Sequence, residues 1–113
     1  MLLTPHFDLD EFRDHSDGTV VAPPAYFLGC LEHIRGAIGW PLRIVSGYRS
    51  PEHNRSVGGA PNSRHLVGDA ADLDYGVVPV EVARAAGCTG IGITDGFATH
   101  VDARPGPLVE WTY

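Results

Sequence analysis

Two residues seven positions apart, His65 and Asp72, are the first in this chain whose types and spacing suggest chemistry; they lie in Ser63-Arg64-His65-Leu66-Val67-Gly68-Asp69-Ala70-Ala71-Asp72. An imidazole nitrogen and a carboxylate oxygen are both metal donors. In one continuous helix they would sit about 10.5 Å apart along the axis, too far to share an ion through bonds of about 2.0–2.2 Å. In one unbroken strand an odd separation sends them to opposite faces. They converge only if the chain turns between them, and Gly68 is the residue best able to turn it. A third donor, His100 in Ala98-Thr99-His100-Val101-Asp102, would complete a His/Asp/His set.

Two imidazoles and one carboxylate suit zinc, and three protein ligands leave the fourth corner of a tetrahedron for water. An ion held that way lowers the pKa of water and polarises a carbonyl, the two requirements of amide hydrolysis. The reaction further needs a base, a cation for the developing oxyanion and partners that orient the histidines. Asp102, Arg49 and Ser63 are the candidates in that order, with Asp95 a second choice as base. Each has an ordinary alternative. Asp72 and Asp74 also fit strand-end carboxylates capping nearby amides, His100 a satisfied core residue, and Asp102 beside Arg104 a surface ion pair. Arg49 also fits a residue that ties down its own loop. Asp69 reads most simply as a solvated turn residue, and His6, His15, His33 and His53 as ordinary surface or core histidines.

These residues need elements to position them. Thr4 to Phe12 carries Phe7, Leu9 and Phe12 as anchors of an arm or short helical turn, and His15 to Val21 is polar loop. After Pro23-Pro24, the spacing of Phe27, Leu31, Ile34 and Ile38 predicts a helix that Gly39 ends. Leu42 to Val45 reads as a buried strand. Tyr48 to His65 is a long polar loop with one helical turn at Glu52 to Ser56; loops of that length in compact domains are usually functional. Strands are expected at 70–75, 90–93 and 97–103, with a helix at Pro79 to Ala86 and a turn at Thr94-Asp95-Gly96. On the last strand a two-residue period places Ala98, His100 and Asp102 on one face.

A length of 113 residues suits a single domain spanning 1–113. No window approaches twenty apolar residues, so no membrane span is expected. The amino terminus lacks a positive region and a long apolar run, so no signal peptide is read. A net charge of −6 with scattered arginines argues against nucleic acid as a partner. Cys30 and Cys88 match no zinc-thiolate spacing and are expected as buried thiols, with a disulfide between them as the alternative. Fourteen glycines and nine prolines point to short elements and many loops, a chain that gains from a metal cross-link.

Five blocks occur in order: Ser46-Gly47-Tyr48-Arg49-Ser50-Pro51-Glu52-His53-Asn54, Val57-Gly58-Gly59-Ala60-Pro61-Asn62-Ser63-Arg64-His65, Gly68-Asp69-Ala70-Ala71-Asp72, Gly90-Ile91-Gly92 and His100-Val101-Asp102-Ala103-Arg104. Together they closely resemble the M15 family of zinc D-Ala-D-Ala peptidases, nearest its small, compact branch of bacterial and phage murein hydrolases. The resemblance implies an α+β fold shared with the Hedgehog signalling domain: a mostly antiparallel sheet flanked by helices, with a zinc cleft on one face. It implies zinc ligands at His65, Asp72 and His100, a substrate-facing or oxyanion-stabilising Arg49, and cleft-lining Tyr48. The expected substrate is a peptidoglycan stem peptide, cut by a monomer acting as carboxypeptidase or endopeptidase. Without a leader, such a protein would reach the wall by phage delivery or on lysis. Many members place a glutamate three residues before the last zinc histidine, where this chain has Phe97, and others a histidine two residues from it, where this chain has Asp102. The alternative from another class is a zinc-containing binding or phage structural module that has lost turnover.

Overall fold

A computed structural model describes residues 1–113. The elements in chain order are β1 (Leu2–Thr4), β2 (Phe7–Asp8), a 3-10 turn (Leu9–Phe12), α1 (Ala25–Ile38), β3 (Ile44–Ser46), α2 (Pro51–Ser56), a second 3-10 turn (Arg64–Leu66), β4 (Ala70–Leu73), α3 (Val80–Ala85), β5 (Gly90–Thr94), β6 (Phe97–Asp102) and β7 (Val109–Thr112). β1 and β2 form a small hairpin, and the main sheet has the order β3-β4-β6-β5-β7. Its first four strands pair antiparallel, whereas β7 runs parallel to β5. The fold is therefore α+β with a mixed sheet.

The apolar stripe of α1 buries Phe27, Leu28, Leu31 and Ile34, and the helix stops where Gly39 turns left-handed at φ 72°. Those side chains share one core with Ile44, Ala71, Leu73, Ile91 and Val101 of the sheet, Val80 and Ala83 of α3, and Phe7 and Phe12 of the arm. On β4 the two-residue period sends Ala71 and Leu73 into that core and leaves Ala70 and Asp72 on the other face. One sheet face is thus committed to packing, and the opposite face is available to a site.

Two expectations need correction, and one strand lies outside them. The carboxy-terminal segment forms β7, where Val109, Trp111 and Tyr113 alternate with Glu110 and Thr112 as in a strand. Ala98 lies in the core, not on the face of His100. Gly92 pairs with His100 but Ile93 pairs with Ala98, so Thr99 is an extra residue, a bulge that reverses the alternation. Asp69, expected as a solvated turn residue, is buried.

The amino-terminal arm is tied to the loop that follows β3. The Tyr48 N–H donates to Phe12 O at 3.0 Å, and fully buried Asp14 joins the arm to the start of α2. Its carboxylate accepts from the backbone N–H groups of Ser16 (2.7 Å), Asp17 (3.1 Å) and Ser50, and lies 3.2 Å from His53 Nδ1. Burial opposes ionisation of Asp14, but the hydrogen bonds from Ser16 and Ser50 outweigh it and hold the carboxyl far below its usual range. Its stabilising contribution is then complete above the unfolded pKa of about 3.9 and is lost as pH falls below that value. Asp14→Asn is expected to cost about 1–3 kcal/mol at neutral pH and to flatten the stability loss between about pH 5 and pH 2. Urea unfolding across pH checks both; an unchanged acid slope would refute the assignment.

Candidate metal centre

His65 sits on the second 3-10 turn, which Ser63 caps by accepting the His65 backbone N–H at 3.2 Å. Gly68, with φ 91°, then reverses the chain into β4 and brings Asp72 back beneath the His65 ring. Asp72 pairs across the sheet with His100 of β6. His65 Nε2 and His100 Nδ1 each lie 3.1 Å from Asp72 Oδ1, and the three donor atoms are within 4.8 Å of one another. A tetrahedral ion with bonds of about 2.1 Å needs donors about 3.4 Å apart, so small adjustments suffice.

The protons show what this cluster lacks. His65 Nδ1 donates to Gly47 O at 2.7 Å, and His100 Nε2 donates to Asp102 Oδ2 at 2.8 Å. A carbonyl and a carboxylate can only accept, so in the neutral rings the other nitrogens are lone pairs. Both lone pairs aim at Asp72 Oδ1, itself an acceptor. Three acceptors converging on one point call for positive charge between them, which either a proton on one ring or a metal ion can supply. The donor set suits zinc, and His65, Asp72 and His100 would hold it. Burial opposes the charge on Asp72, yet hydrogen bonds from His100 and His65, once these rings carry a proton on that side, hold its carboxyl well below the usual range. Asp72 Oδ2 accepts from Arg49 Nη2 at 2.9 Å, which leaves Oδ1 as the oxygen offered to the ion.

The cluster opens into a cleft of about 390 Å³, whose walls include Arg49, Asn62, Ser63, Arg64, Arg104 and Trp111. One row crosses the sheet beneath it: Asp72, His100, Gly92 and Trp111 are successive partners on β4, β6, β5 and β7. A Cβ on Gly92 would come within 2.9 Å of Trp111 Nε1, and one on Gly90 would collide with the Asp102 carboxylate. The two glycines let those side chains lie flat across β5. The Trp111 ring centre stands 5.3 Å from that of His100, and Arg104 stacks on the indole at 5.0 Å.

Asp102 does not stand in the cleft as a base. It is fully buried behind His100, where Arg104 clamps it through Nε (2.9 Å) and Nη2 (2.7 Å). Burial opposes its ionisation, but Arg104 and His100 outweigh burial and keep it deprotonated well below the usual range. Its oxygens are spent on His100 and Arg104, so neither is free in the cleft to accept a proton from water. Asp95 lies in the β5–β6 turn, bonded to Tyr75 at 3.1 Å, outside the cleft. Tyr48 does not line the cleft either, whereas its neighbour Arg49 does.

Sequence reasoning missed Arg64 and Arg104 as cleft residues, the Arg64–Asp69 pair, the Gly47 carbonyl and Trp111. Arg64 and Arg104 each lie near an aspartate in sequence, a visible signal; a backbone carbonyl leaves none. Asp102→Asn is expected to weaken zinc binding about 10- to 100-fold with the fold retained. Chelator competition measures it, and wild-type affinity in the variant would remove Asp102 from the centre.

A sequence profile of the family described as Peptidase M15 matches residues 5–102. Over 77 residues the chain is 40% identical to a zinc D-Ala-D-Ala carboxypeptidase of Streptomyces albus G, a match covering 64% of this chain and 30% of that relative. The matched stretch is thus less than a third of the relative's length, and β7 with Trp111 lies beyond the family match. A match across nearly the whole chain, on residues that gather in one cleft, makes this chain a member of the M15 peptidase family.

Proposed function

We propose that residues 1–113 form one zinc peptidase domain, of the Hedgehog and DD-peptidase type of fold, that hydrolyses an amide bond of peptidoglycan stem peptides beside a D-amino acid. The observation that carries this reading is the convergence of three acceptor atoms at the floor of an open cleft, each held from behind by a second partner. Bound there, zinc would polarise the scissile carbonyl and lower the pKa of water to near neutrality. The chain's own residues supply orientation and charge. Gly47 O and Asp102 fix the tautomers of His65 and His100, and Arg49 keeps Asp72 to one oxygen. Arg49 borders the cleft beside that oxygen, where its guanidinium can take charge developing on the carbonyl. The relative, a zinc D-Ala-D-Ala carboxypeptidase, supports carboxypeptidase action, and internal cutting of murein is the other form of the same chemistry. No helix is long and apolar enough to cross a membrane. We place the site of action at the bacterial wall and the working unit as a monomer.

One observation favours a second reading, a zinc-containing binding module without turnover. Asp72 is the only carboxylate among the residues lining the cleft, so no free base stands beside the ion.

Purified murein separates the two. Zinc-loaded wild type, carrying about one ion per chain, is expected to release muropeptides, and His100→Ala to lose both the ion and the release. Arg49→Lys is expected to keep the metal but lower kcat about 100-fold. No release by wild type at any zinc content would leave the binding module as the correct reading.

A further inference from the structure

The cleft contains three arginines, and they are not equivalent. Arg49 has an acceptor on every nitrogen: Ser46 Oγ on Nε, Asn54 Oδ1 on Nη1 and Asp72 Oδ2 on Nη2. Its end-on edge, the Nη1/Nη2 pair that grips a carboxylate as a fork, is divided between two partners. Arg64 and Arg104 are held differently. Each is clamped side-on by a buried aspartate through Nε and Nη2 alone, Arg64 by Asp69 at 3.1 and 2.6 Å and Arg104 by Asp102 at 2.9 and 2.7 Å. Neither Nη1 has an acceptor in the protein, so both end-on forks are intact.

These forks belong to one wall. Asp69 O accepts the Ala103 N–H at 3.1 Å, joining the two ion pairs through the backbone. Both arginines line the cleft, with side chains 24% and 29% exposed while their aspartates are 1% and 0% exposed. The carboxylates lie behind and the guanidinium edges in front. Trp111 stacks on Arg104 and restricts its swing. Asp102 Oδ2 is shared by His100 Nε2 and Arg104 Nη2, so this wall adjoins the metal centre. A planar fork with two parallel N–H donors matches a carboxylate, and an ion pair already clamped loses little entropy on binding one.

We infer that Arg64 and Arg104 form a carboxylate-binding subsite beside the metal centre, which selects substrates bearing a carboxylate on the residue next to the scissile amide. The substrate in this statement rests on the peptidase reading; the anion site itself does not. Two sources offer the same group: the terminal α-carboxylate of a leaving residue, or a side-chain carboxylate within a longer peptide. The first corresponds to trimming and the second to internal cutting.

Binding without turnover tests this independently of catalysis. The probes are N-acetyl-D-alanine, N-acetyl-D-alaninamide and N-acetyl-D-glutamic acid α-amide, titrated into zinc-loaded and chelator-treated protein with detection of the guanidinium 15N resonances. At least one acid is expected to bind ten or more times as tightly as the alaninamide, with or without metal, shifting the Nη signals of Arg64 and Arg104 but not of Arg49. The tighter of the two acids identifies the source. Arg64→Gln is expected to abolish the preference, and the wild-type resonances decide the matter if that variant fails to fold. Equal binding of acid and amide overturns the proposal. So does a preference that vanishes with the metal and survives Arg64→Gln, since the carboxylate would then be sitting on the ion. A protein with no hydrolase activity can pass this test, and an active one can fail it.

Discussion

Everything at the centre depends on one electrostatic constraint: Asp72 Oδ1 faces two nitrogens that have given their protons away in the other direction. Without a cation the lone pairs repel, or a histidine must take up a proton that burial disfavours. His100 shows the tension. Burial lowers its proton affinity, and the carboxylates of Asp102 and Asp72 more than restore it. The surrounding structure keeps the acceptors aimed at each other, so the demand for positive charge is built into the fold.

The sheet meets this constraint with few residues. Strand pairing aligns Asp72 with His100, and the bulge at Thr99 lets the same strand send Ala98 and Val101 into the core while His100 faces the cleft. Gly90 and Gly92 remove side chains from the neighbouring strand, so Asp102 can lie behind His100 and Trp111 beside it. The chain carries a net charge of −6, yet three guanidinium groups surround the cleft. Buried Asp69 and Asp102 oppose two of them and Asp72 the third. These pairs fix side-chain directions more than they add stability, as expected for ion pairs withdrawn from water.

Residue spacing alone made part of this legible. The seven-residue interval with Gly68 between required a turn, and a turn is present. Helix α1 and the strand carrying His100 followed from periodicity. The role of Asp102 did not, because type and strand face place a carboxylate near a ligand without saying which of the ligand's nitrogens it meets. The two-residue period also failed at Ala98, since a bulge is a property of pairing and leaves no mark on one strand's own sequence. Strand β7 was visible as alternation in Val109, Trp111 and Tyr113, but its parallel pairing with β5 was not, because it depends on how the short link from β6 passes the end of β5. Asp14 was hidden for a related reason: its partners at Ser50 and His53 are more than thirty residues away.

The carbonyl that orients His65 belongs to a segment fastened by Phe12, whose own oxygen accepts from Tyr48. The imidazole's bearing on the ion is therefore set in part by a hairpin and a short turn at the far end of the chain. Phe7 and Phe12 pin that arm, both fully buried in the core shared with α1 and the sheet. The aim of the ring is therefore only as steady as the packing of two phenyl groups, and a cavity opened at either would disturb the donor set without touching it.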